Sequence, residues 1–387
     1  MKICVFANDF SFRSGVERVA SVIINVLVEQ GHDVSVLSLS RGLEAPYPLD
    51  ESVGLYRLFE DKLPRGGMVP LAVKRGMRFG QTILKLRRFF SHHRFDMVID
   101  TEYMLGLMAA YALKGKNVYL VHWEHINFNI DPPGSRKRKF RERLAGMADG
   151  IVALTERDKG YWQQGARVKG HIVAINNPVP FDIPDNTYDP DSRVVLNVGR
   201  FHSQKGYDLL LKAWAQLGER VDRQGWTLRI VGEGETRAQI EALRTELRLE
   251  KSVELLPATP NVDQHYRSAA MFCMSSRYEG LAMVLIEAQA YGLPCVSFDC
   301  DTGPAEIIDQ DRNGYLVEAG DTRALAEAME RVMDSRERRL AMSASARHSV
   351  ERFDPAHVAE KWARYLAELT HRNGSAGGEK PGSLSRR

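Results

Sequence analysis

Short apolar runs rich in β-branched residues alternate with longer segments in which apolar residues recur at helical spacing. In the first half of the chain the strand-like runs are Ile3–Phe6, Val34–Leu39, Met97–Ile99, Val118–Val121 and Gly150–Leu154. Val16–Gln30, between the first two runs, has the period of an amphipathic helix. This alternation is typical of an α/β domain built on a parallel sheet.

The same pattern restarts after a stretch rich in Pro, Asn and Asp, Asn176–Pro190, which we interpret as a linker. The strand-like runs of the second half are Val194–Val198, Thr227–Val231, Val253–Leu256, Ala270–Met274 and Pro294–Phe298. Tyr207–Leu217 and Met283–Tyr291 have helical spacing. We therefore predict a second α/β domain of similar size.

The end of the chain predicts a helix and a tail. Pro355–Leu369 places Trp362, Tyr365 and Leu366 on one helical face, whereas the Gly/Ser/Lys/Arg sequence from Asn373 onward has little to bury and is expected to be disordered. A chain of 387 residues exceeds what one hydrophobic core usually serves. The predicted division is an N-terminal domain over 1–178, a C-terminal domain over 179–354, a helix over 355–372 and a tail over 373–387.

Composition excludes several classes of protein. The 44% hydrophobic and 27% charged residues are ordinary for a soluble protein, and a net charge of +3 gives no global argument for nucleic-acid binding. The apolar run in MKICVFAND is too short for a signal peptide, and no stretch approaches about 18 uninterrupted apolar residues. The absence of a CxxC pair fits a reducing compartment. The four cysteines are Cys4, Cys273, Cys295 and Cys300. We expect a cytoplasmic protein, soluble or peripheral to a membrane.

The segment Ser275–Ala288 carries the most informative chemistry. Glu279 and Glu287 lie eight positions apart, and Gly280 follows the first glutamate directly. We expect Glu279 in a loop after a strand and Glu287 in the following helix, whose N-terminal N–H groups suit a diphosphate. Glu287 can accept hydrogen bonds from ribose hydroxyls. The alternative is that both glutamates are solvated surface residues.

Two cations precede this segment. Arg200 follows a strand, and Lys205 opens the next helix. Cations aimed at a departing nucleoside diphosphate stabilise the transition state more than the ground state. Considered singly, each is more often a surface charge than a phosphate ligand.

Five motifs together resemble the C-terminal domain of family 4 glycosyltransferases: GRFHSQKG, VGEG, SSRYEGLAMVLIEAQAYGLPCVSFD, DTGPAEII and NGYLV, in this order from 199 to 317. The resemblance extends more loosely over the N-terminal half. It implies the α/β architecture called GT-B, in which two Rossmann-like doubly wound domains face each other across a cleft and a C-terminal helix crosses back to the first domain.

The resemblance also implies roles for single residues. Glu279 would lie beside the donor sugar and diphosphate, Glu287 would bind the donor ribose, and Arg200 and Lys205 would bind the pyrophosphate. Further donor-binding positions are implied in the loops of the same domain: Gly232, Gly234, Pro257, Gly280, Leu281 and Ala282. Many relatives have glycine where this chain has Pro257, which leaves base recognition there open.

In the first domain the resemblance is less complete. Relatives usually have two adjacent glycines before the first helix, where this chain has Ser14 and Gly15, so Gly15 is either a diphosphate contact or an ordinary turn glycine. Relatives also place a histidine after the strand Val118–Val121, near the reaction centre. His122 and His125 are both candidates for this histidine. His125, which follows a Trp-Glu pair, matches the motif of the bacterial surface-polysaccharide branch of the family, and we prefer it as the catalytic residue. A His-x-x-His pair without a third ligand does not predict zinc.

The resemblance implies a retaining hexosyltransferase whose substrate is a nucleoside-diphosphate sugar; we expect a UDP-sugar, although the sequence does not identify the base. Lipid-linked oligosaccharide, lipopolysaccharide or exopolysaccharide is the expected acceptor. Attack would come from the front side, without an enzymic nucleophile. We expect no cofactor and no metal, since the Asp-x-Asp patterns Asp189–Asp191 and Asp299–Asp301 are short enough to arise by chance.

Basic residues are unevenly distributed. Lys74–Arg94 contains seven Lys or Arg, no acidic residue and several interleaved aromatic and aliphatic residues, and a second cluster spans Arg136–Arg141. Such segments favour an anionic membrane surface, although a basic helix that covers the core would look the same. Nucleic-acid binding is not predicted, because the sequence shows no aromatic platform on which bases could stack. The sequence does not indicate an oligomeric state.

Three other functions share this architecture. A nucleotide-sugar epimerase, a sugar-phosphate, sucrose or glycogen-type synthase, and a non-catalytic sugar-nucleotide-binding protein are the alternatives. The intact set of Glu279, Glu287, Arg200 and Lys205 favours transfer. A nicotinamide oxidoreductase is disfavoured because Gly232-Glu233-Gly234 lacks the full dinucleotide fingerprint.

Overall fold

A computed structural model describes residues 1–40, 44–60, 71–185, 188–218, 221 and 224–375, except for the side chains of 71–77 and 372–375. The chain divides into two compact units. Unit 1 comprises Met1–Pro180 and the C-terminal segment from Pro355, and unit 2 comprises Phe181–Asp354. The first division falls two residues after the predicted boundary at 178.

Unit 1 is built on a parallel sheet of seven strands in the order β3-β2-β1-β4-β5-β6-β7. The strands are β1 (Lys2–Ala7), β2 (Asp33–Ser40), β3 (Gly54–Phe59), β4 (Met97–Asp100), β5 (Tyr119–Trp123), β6 (Gly150–Ala153) and β7 (His171–Ala174). The helices between them are α1 (Gly15–Glu29), α2 (Leu71–His93), α3 (Tyr103–Ala112), α4 (Arg136–Ala145) and α5 (Glu156–Gly165). The central strands are buried on both faces, which explains their continuous apolar sequences.

Unit 2 repeats this plan with a parallel sheet of six strands in the order β10-β9-β8-β11-β12-β13. The strands are β8 (Val194–Val198), β9 (Thr227–Val231), β10 (Val253–Leu256), β11 (Met271–Met274), β12 (Cys295–Asp299) and β13 (Gly314–Glu318). Its helices are α6 (Tyr207–Gln216), α7 (Arg237–Glu246), α8 (Asp263–Arg267), α9 (Met283–Ala290), α10 (Pro304–Ile307), α11 (Thr322–Met333) and α12 (Arg336–Val350).

In each sheet the first strand of the unit lies in the interior, so the strand order reverses beside it. The reversal falls between β1 and β4 in unit 1 and between β8 and β11 in unit 2. In unit 2 the register of β8 with β11 pairs Leu196 with Phe272. One residue further along both strands, the side-chain amide of Asn197 donates to the Cys273 carbonyl (2.7 Å). Loops that leave the carboxyl ends of strands at such a point diverge and form a crevice for ligands.

The C-terminal helix α13 (Pro355–Ser375) belongs to unit 1 and runs three residues beyond the predicted end at 372. Trp362, Tyr365 and Leu366 are buried, as their spacing predicts. Trp362 packs edge-on against Trp123 with ring centroids 5.2 Å apart. Residues 376–387, most of the predicted tail, lie outside the described part of the chain.

The basic helix α2 covers the core of unit 1. Leu86 and Phe90 are buried, whereas Leu84 is 61% exposed. The side chains of Lys74, Arg75 and Met77 lie outside the described part of the chain. Among the described helices, none combines the length and apolar character needed to cross a bilayer.

The second basic cluster is only partly on the surface. The guanidinium of Arg138 lies over the Phe128 ring, 3.5 Å from its centroid, and donates to the Phe128 carbonyl (3.0 Å). Arg141 is 1% exposed and donates to Asp131 (3.0 Å). The prediction that these two arginines contribute to a membrane-facing surface is therefore wrong, because buried acceptors already engage both.

Candidate functional site

The loops that follow β8 and β11 are joined by hydrogen bonds at the point where the strand order of unit 2 reverses. The Ser275 hydroxyl donates to the Lys205 carbonyl (2.9 Å), and the Arg277 amide donates to the Gln204 carbonyl (2.8 Å). In the other direction, the Gln204 side chain donates to the Tyr278 carbonyl (2.9 Å). The two loops therefore form one connected rim, which we call the donor rim (199–206 and 275–282).

A glycine makes this close approach possible. Gly206 has φ +62°, and a Cβ there would lie 2.1 Å from the Ser275 carbonyl oxygen. A side chain at this position would push the loops apart. Arg277 adds a two-pronged ion pair to Asp208 at the start of α6 (3.0 and 2.8 Å).

Lys205 and Glu279, which the sequence predicts for one site, meet on the donor rim. The Lys205 ammonium lies 2.7 Å from a Glu279 carboxylate oxygen, and their side chains are 22% and 9% exposed. The Thr302 hydroxyl donates to the Glu279 carbonyl and holds its backbone. Because an ammonium has three donors, Lys205 can bind Glu279 and still donate to phosphate oxygens.

A buried phenol lies beneath this pair. The Tyr207 hydroxyl has no hydrogen-bond partner among the described residues, and burial, followed by the charge of Glu279, raises the pKa of Tyr207. A Cβ on Gly199 would lie 2.9 Å from this hydroxyl. Tyr207 therefore occupies the space that a side chain at Gly199 would need.

Gly280, Leu281 and Ala282 lead directly into α9 and are buried. Ala282 adopts a left-handed conformation (φ 59°, ψ 58°), which is uncommon for a residue with a Cβ. Gly303 closes against Leu281, whose carbonyl carbon would lie 2.8 Å from a Cβ there. This turn places the first N–H groups of α9, equivalent to about half a positive charge, at the donor rim.

Gly232 and Gly234 pack against the backbone of the donor rim. A Cβ on Gly232 would lie 1.9 Å from the Gly199 carbonyl oxygen, and one on Gly234 would lie 2.2 Å from the Phe201 carbonyl oxygen. Both glycines therefore have a packing role, and their contact with a donor stays a prediction. Pro257 is exposed in the loop after β10.

Arg200 pairs with a different carboxylate from Lys205. Its side chain is 72% exposed and donates to Glu235 (3.2 Å). His202 lies 3.4 Å from the other oxygen of the same carboxylate. Glu235 is exposed and neutralises the arginine predicted to bind phosphate, a pairing that no motif in the sequence indicates.

Glu287 lies on α9 and is 9% exposed. The Tyr266 hydroxyl donates to one of its carboxylate oxygens (3.0 Å). Tyr266 lies outside every motif that the sequence presents for this site.

Unit 1 holds a chain of buried charges at the carboxyl ends of β4 and β5. His122 is fully buried, with Nδ1 2.6 Å from Asp100 and Nε2 3.5 Å from Glu124. Glu124 also pairs with Arg141, which in turn pairs with Asp131. Both histidines are predicted from the sequence, whereas Asp100 is not, although an acidic residue at the end of an apolar strand was an available signal. Arg141 is predicted only as part of the basic surface cluster and not as a member of this site.

The two candidate histidines have opposite electrostatics. Burial alone would lower the pKa of His122, but Asp100 and Glu124 outweigh it and raise the pKa to about 9. Burial lowers the pKa of His125 to about 3, and its Nε2 has no hydrogen-bond partner among the described residues. The His125 ring packs on Trp123 with centroids 4.5 Å apart. At neutral pH His122 is therefore a cation held by two carboxylates, and His125 is neutral.

Gly15 is the first residue of α1, which Ser14 caps by accepting from the Val16 amide (3.2 Å). A Cβ on Gly15 would meet nothing within 4 Å. Packing in unit 1 therefore does not require glycine here.

The described residues contain no group of three or more His, Cys, Asp or Glu arranged to hold a metal. Asp191, from one of the two Asp-x-Asp patterns, pairs with Arg336 (2.8 Å).

Comparison with known proteins adds the family. Residues 13–182 match the family model described as Glycosyltransferase Family 4, and residues 179–349 match Glycosyl transferases group 1. An uncharacterized glycosyltransferase of Haemophilus influenzae is 31% identical over 94% of this chain and 99% of its own length. The amylovoran biosynthesis glycosyltransferase AmsD of Erwinia amylovora is 30% identical over 93% of this chain and 98% of its own.

Solved structures show the same fold. The lipopolysaccharide outer core galactosyltransferase WaaB, in its apo form, matches 95% of this chain and 99% of its own with a TM-score of 0.75 and 21% identity. Anabaena Alr3699/HepE in complex with UDP-glucose matches 95% of this chain and 99% of its own with a TM-score of 0.74 and 19% identity. The predicted GT-B fold class, with two Rossmann-like parallel-sheet domains, is confirmed.

The close approach at Gly232 generates a stability prediction. We expect Gly232→Ala to destabilise unit 2 by about 1–3 kcal/mol, because its Cβ would overlap the Gly199 carbonyl oxygen and force the backbone to move. Gly15→Ala is the matched control, since its Cβ meets open space and a helix favours alanine by up to about 1 kcal/mol. Equilibrium urea unfolding measures both. Equal stability of the two variants would contradict this account.

The histidine electrostatics generate a titration prediction. In histidine-selective NMR we expect the His122 ring to remain protonated until the pH approaches about 9 and the His125 ring to remain neutral down to pH about 5. Because the folded pKa of His122 is raised, its stabilising contribution is complete below about 6.5 and is lost as the pH rises toward about 9. His122→Gln and His125→Gln assign the signals. Two rings that both titrate near 6.5 would contradict the buried charge chain.

Proposed function

The chain belongs to the family 4 glycosyltransferases, and from this premise we propose that it is a retaining enzyme that transfers a hexose-type sugar from a UDP-sugar bound by unit 2. The observation that carries the proposal is the Lys205–Glu279 ion pair (2.7 Å) at the start of α9, where the strand order of unit 2 reverses. A diphosphate is the group that this combination of ammonium, helix N-terminus and glycine-containing loop suits best.

In this proposal Lys205 stabilises the departing UDP. As the bond between the anomeric carbon and the β-phosphate oxygen breaks, negative charge grows on the diphosphate, and an ammonium already held in place needs no reorganisation to meet it. In this proposal the Arg200 guanidinium leaves the Glu235 carboxylate and pairs with the diphosphate. That exchange is inexpensive because solvent screens an exposed ion pair and leaves it little net stability.

Retention is proposed to occur without an enzymic nucleophile. The acceptor hydroxyl oxygen forms the new bond to the anomeric carbon on the face that UDP leaves, and its proton passes to the departing phosphate oxygen. Glu279 is better suited to orienting the sugar than to attacking it, because Lys205 already engages its carboxylate. His125, neutral and with an unpartnered Nε2 among the described residues, is our candidate for the histidine at the reaction centre.

The names of similar proteins support the wider context of the proposal. AmsD is named for amylovoran biosynthesis and WaaB for the lipopolysaccharide outer core, and HepE has been solved with UDP-glucose. We propose an acceptor of the same class, a lipid-linked oligosaccharide or a surface polysaccharide, with unit 1 as the acceptor-binding unit. A peripheral position at an anionic membrane, through the exposed residues of α2 such as Leu84 and Arg88, stays a prediction.

Donor binding and turnover test the role of Lys205. We expect UDP-glucose or UDP-galactose, more than GDP-mannose, to raise the melting temperature of the wild type, since a ligand that binds the folded state stabilises it. We expect Lys205→Ala to weaken UDP binding roughly tenfold and to slow donor hydrolysis or transfer on the order of 100-fold, the cost of removing one charge-stabilising donor.

The matched control is Lys251→Ala. Lys251 is exposed and precedes β10, at the amino-terminal edge of the same sheet. This variant should bind UDP and turn over like the wild type. Wild-type affinity and rate in Lys205→Ala, or an equal loss in both variants, would contradict the assigned role.

A further inference from the structure

Glu287 is a nearly buried carboxylate in an apolar helix. Leu285, Ile286 and Ala288 around it on α9 are fully buried, and Glu287 itself is 9% exposed. Burying a carboxylate is costly unless a donor compensates it. The Tyr266 hydroxyl, 3.0 Å from one carboxylate oxygen, is such a donor.

The Tyr266 hydroxyl has little freedom to move. The side chain is 1% exposed, and its ring stacks on Tyr291 with centroids 5.1 Å apart and planes 10° from parallel. Tyr291 is held in turn by Phe181 (5.7 Å) and by the guanidinium of Arg267 (5.5 Å). The phenol therefore presents its O–H group from one fixed direction.

We propose that Tyr266 is a positioning residue that sets the carboxylate plane of Glu287 for one hydroxyl of the nucleotide ribose. The torsion that turns a glutamate carboxylate is soft, so a free Glu287 would sample many planes. A fixed phenol bonded to one oxygen selects one plane and removes the entropic cost of ordering the side chain when the nucleotide binds. The proposal rests on the proposed function, because it takes the ligand to be a nucleoside diphosphate.

A simpler role for the same bond is to tie α8 to α9. Both roles predict that removing the hydroxyl lowers stability, since a buried charged group loses a donor. The positioning role alone predicts a change in how strongly the protein distinguishes ribose from deoxyribose. That discrimination is therefore the property to measure.

The experiment is calorimetric titration of UDP, 2′-deoxy-UDP and 3′-deoxy-UDP into five proteins. These are the wild type, Tyr266→Phe, Glu287→Gln, the double variant that combines these two changes, and Tyr315→Phe. Tyr266→Phe keeps the ring stack and removes only the hydroxyl. Tyr315→Phe is the matched control, because Tyr315 is also a buried tyrosine of unit 2 but lies on β13.

We expect the wild type to bind UDP on the order of tenfold more tightly than one of the deoxy analogues, as one hydrogen bond to a charged group would give. In Tyr266→Phe and Glu287→Gln this ratio should fall to about threefold or less, mainly through weaker binding of UDP itself. The double variant should lose no more than Glu287→Gln alone, because both changes disable one hydroxyl contact. Tyr315→Phe should keep the wild-type ratio.

Three results would overturn the inference. If Tyr266→Phe keeps the wild-type ratio, the bond is only a tie between helices, and the proposed function stands. If the wild type binds UDP but does not distinguish the analogues, Glu287 does not bind the ribose and Tyr266 positions nothing for it. If the wild type does not bind UDP at all, the proposed UDP-sugar donor fails and the inference falls with it.

Discussion

The structure of the candidate site depends on the contact between the two loops that leave β8 and β11. Because the strand order of unit 2 reverses between these strands, their loops start as neighbours and then diverge. Reciprocal hydrogen bonds close them into one rim, which brings Lys205 to within 2.7 Å of Glu279. Gly206 and Gly232 have no Cβ where a neighbouring carbonyl oxygen already lies, so the backbone itself sets the spacing of the charges. Binding and catalysis in our account both follow from this spacing.

Unit 1 uses charge differently. Its ionisable groups are buried and paired in series, from Asp100 through His122 and Glu124 to Arg141. Removing one member would leave its neighbour as an uncompensated buried charge, which is far costlier than losing an exposed pair. This series of paired charges holds the end of β5 in place. The imidazole of His125 lies outside the series and is neutral. The donor rim of unit 2, in contrast, keeps its ammonium partly exposed, where it can exchange partners.

The sequence predicts the parts of this architecture that local pattern determines. Strands such as β1 and β12 are buried on both faces and read as continuous apolar runs, and the meeting of Lys205 with Glu279 follows from loops at the same edge of a parallel sheet. The strand β3 escapes prediction because most of its residues are only half-buried, and β7 because only one of its four residues is buried. Local pattern does not show which side chains far apart in sequence come into contact, even where a strand end marks a candidate residue such as Asp100. The Tyr266–Glu287 and Asp100–His122 pairs are of this kind, and so is the burial of Arg138 that removes it from the predicted basic surface.

The most direct test of the central claim is a crystal structure of the protein with bound UDP. We expect the diphosphate to lie at the start of α9, with a phosphate oxygen within hydrogen-bonding distance of the Lys205 ammonium and of the amides of Gly280–Ala282. A diphosphate bound elsewhere, with the Lys205–Glu279 pair and the donor rim making no contact to it, would contradict the account.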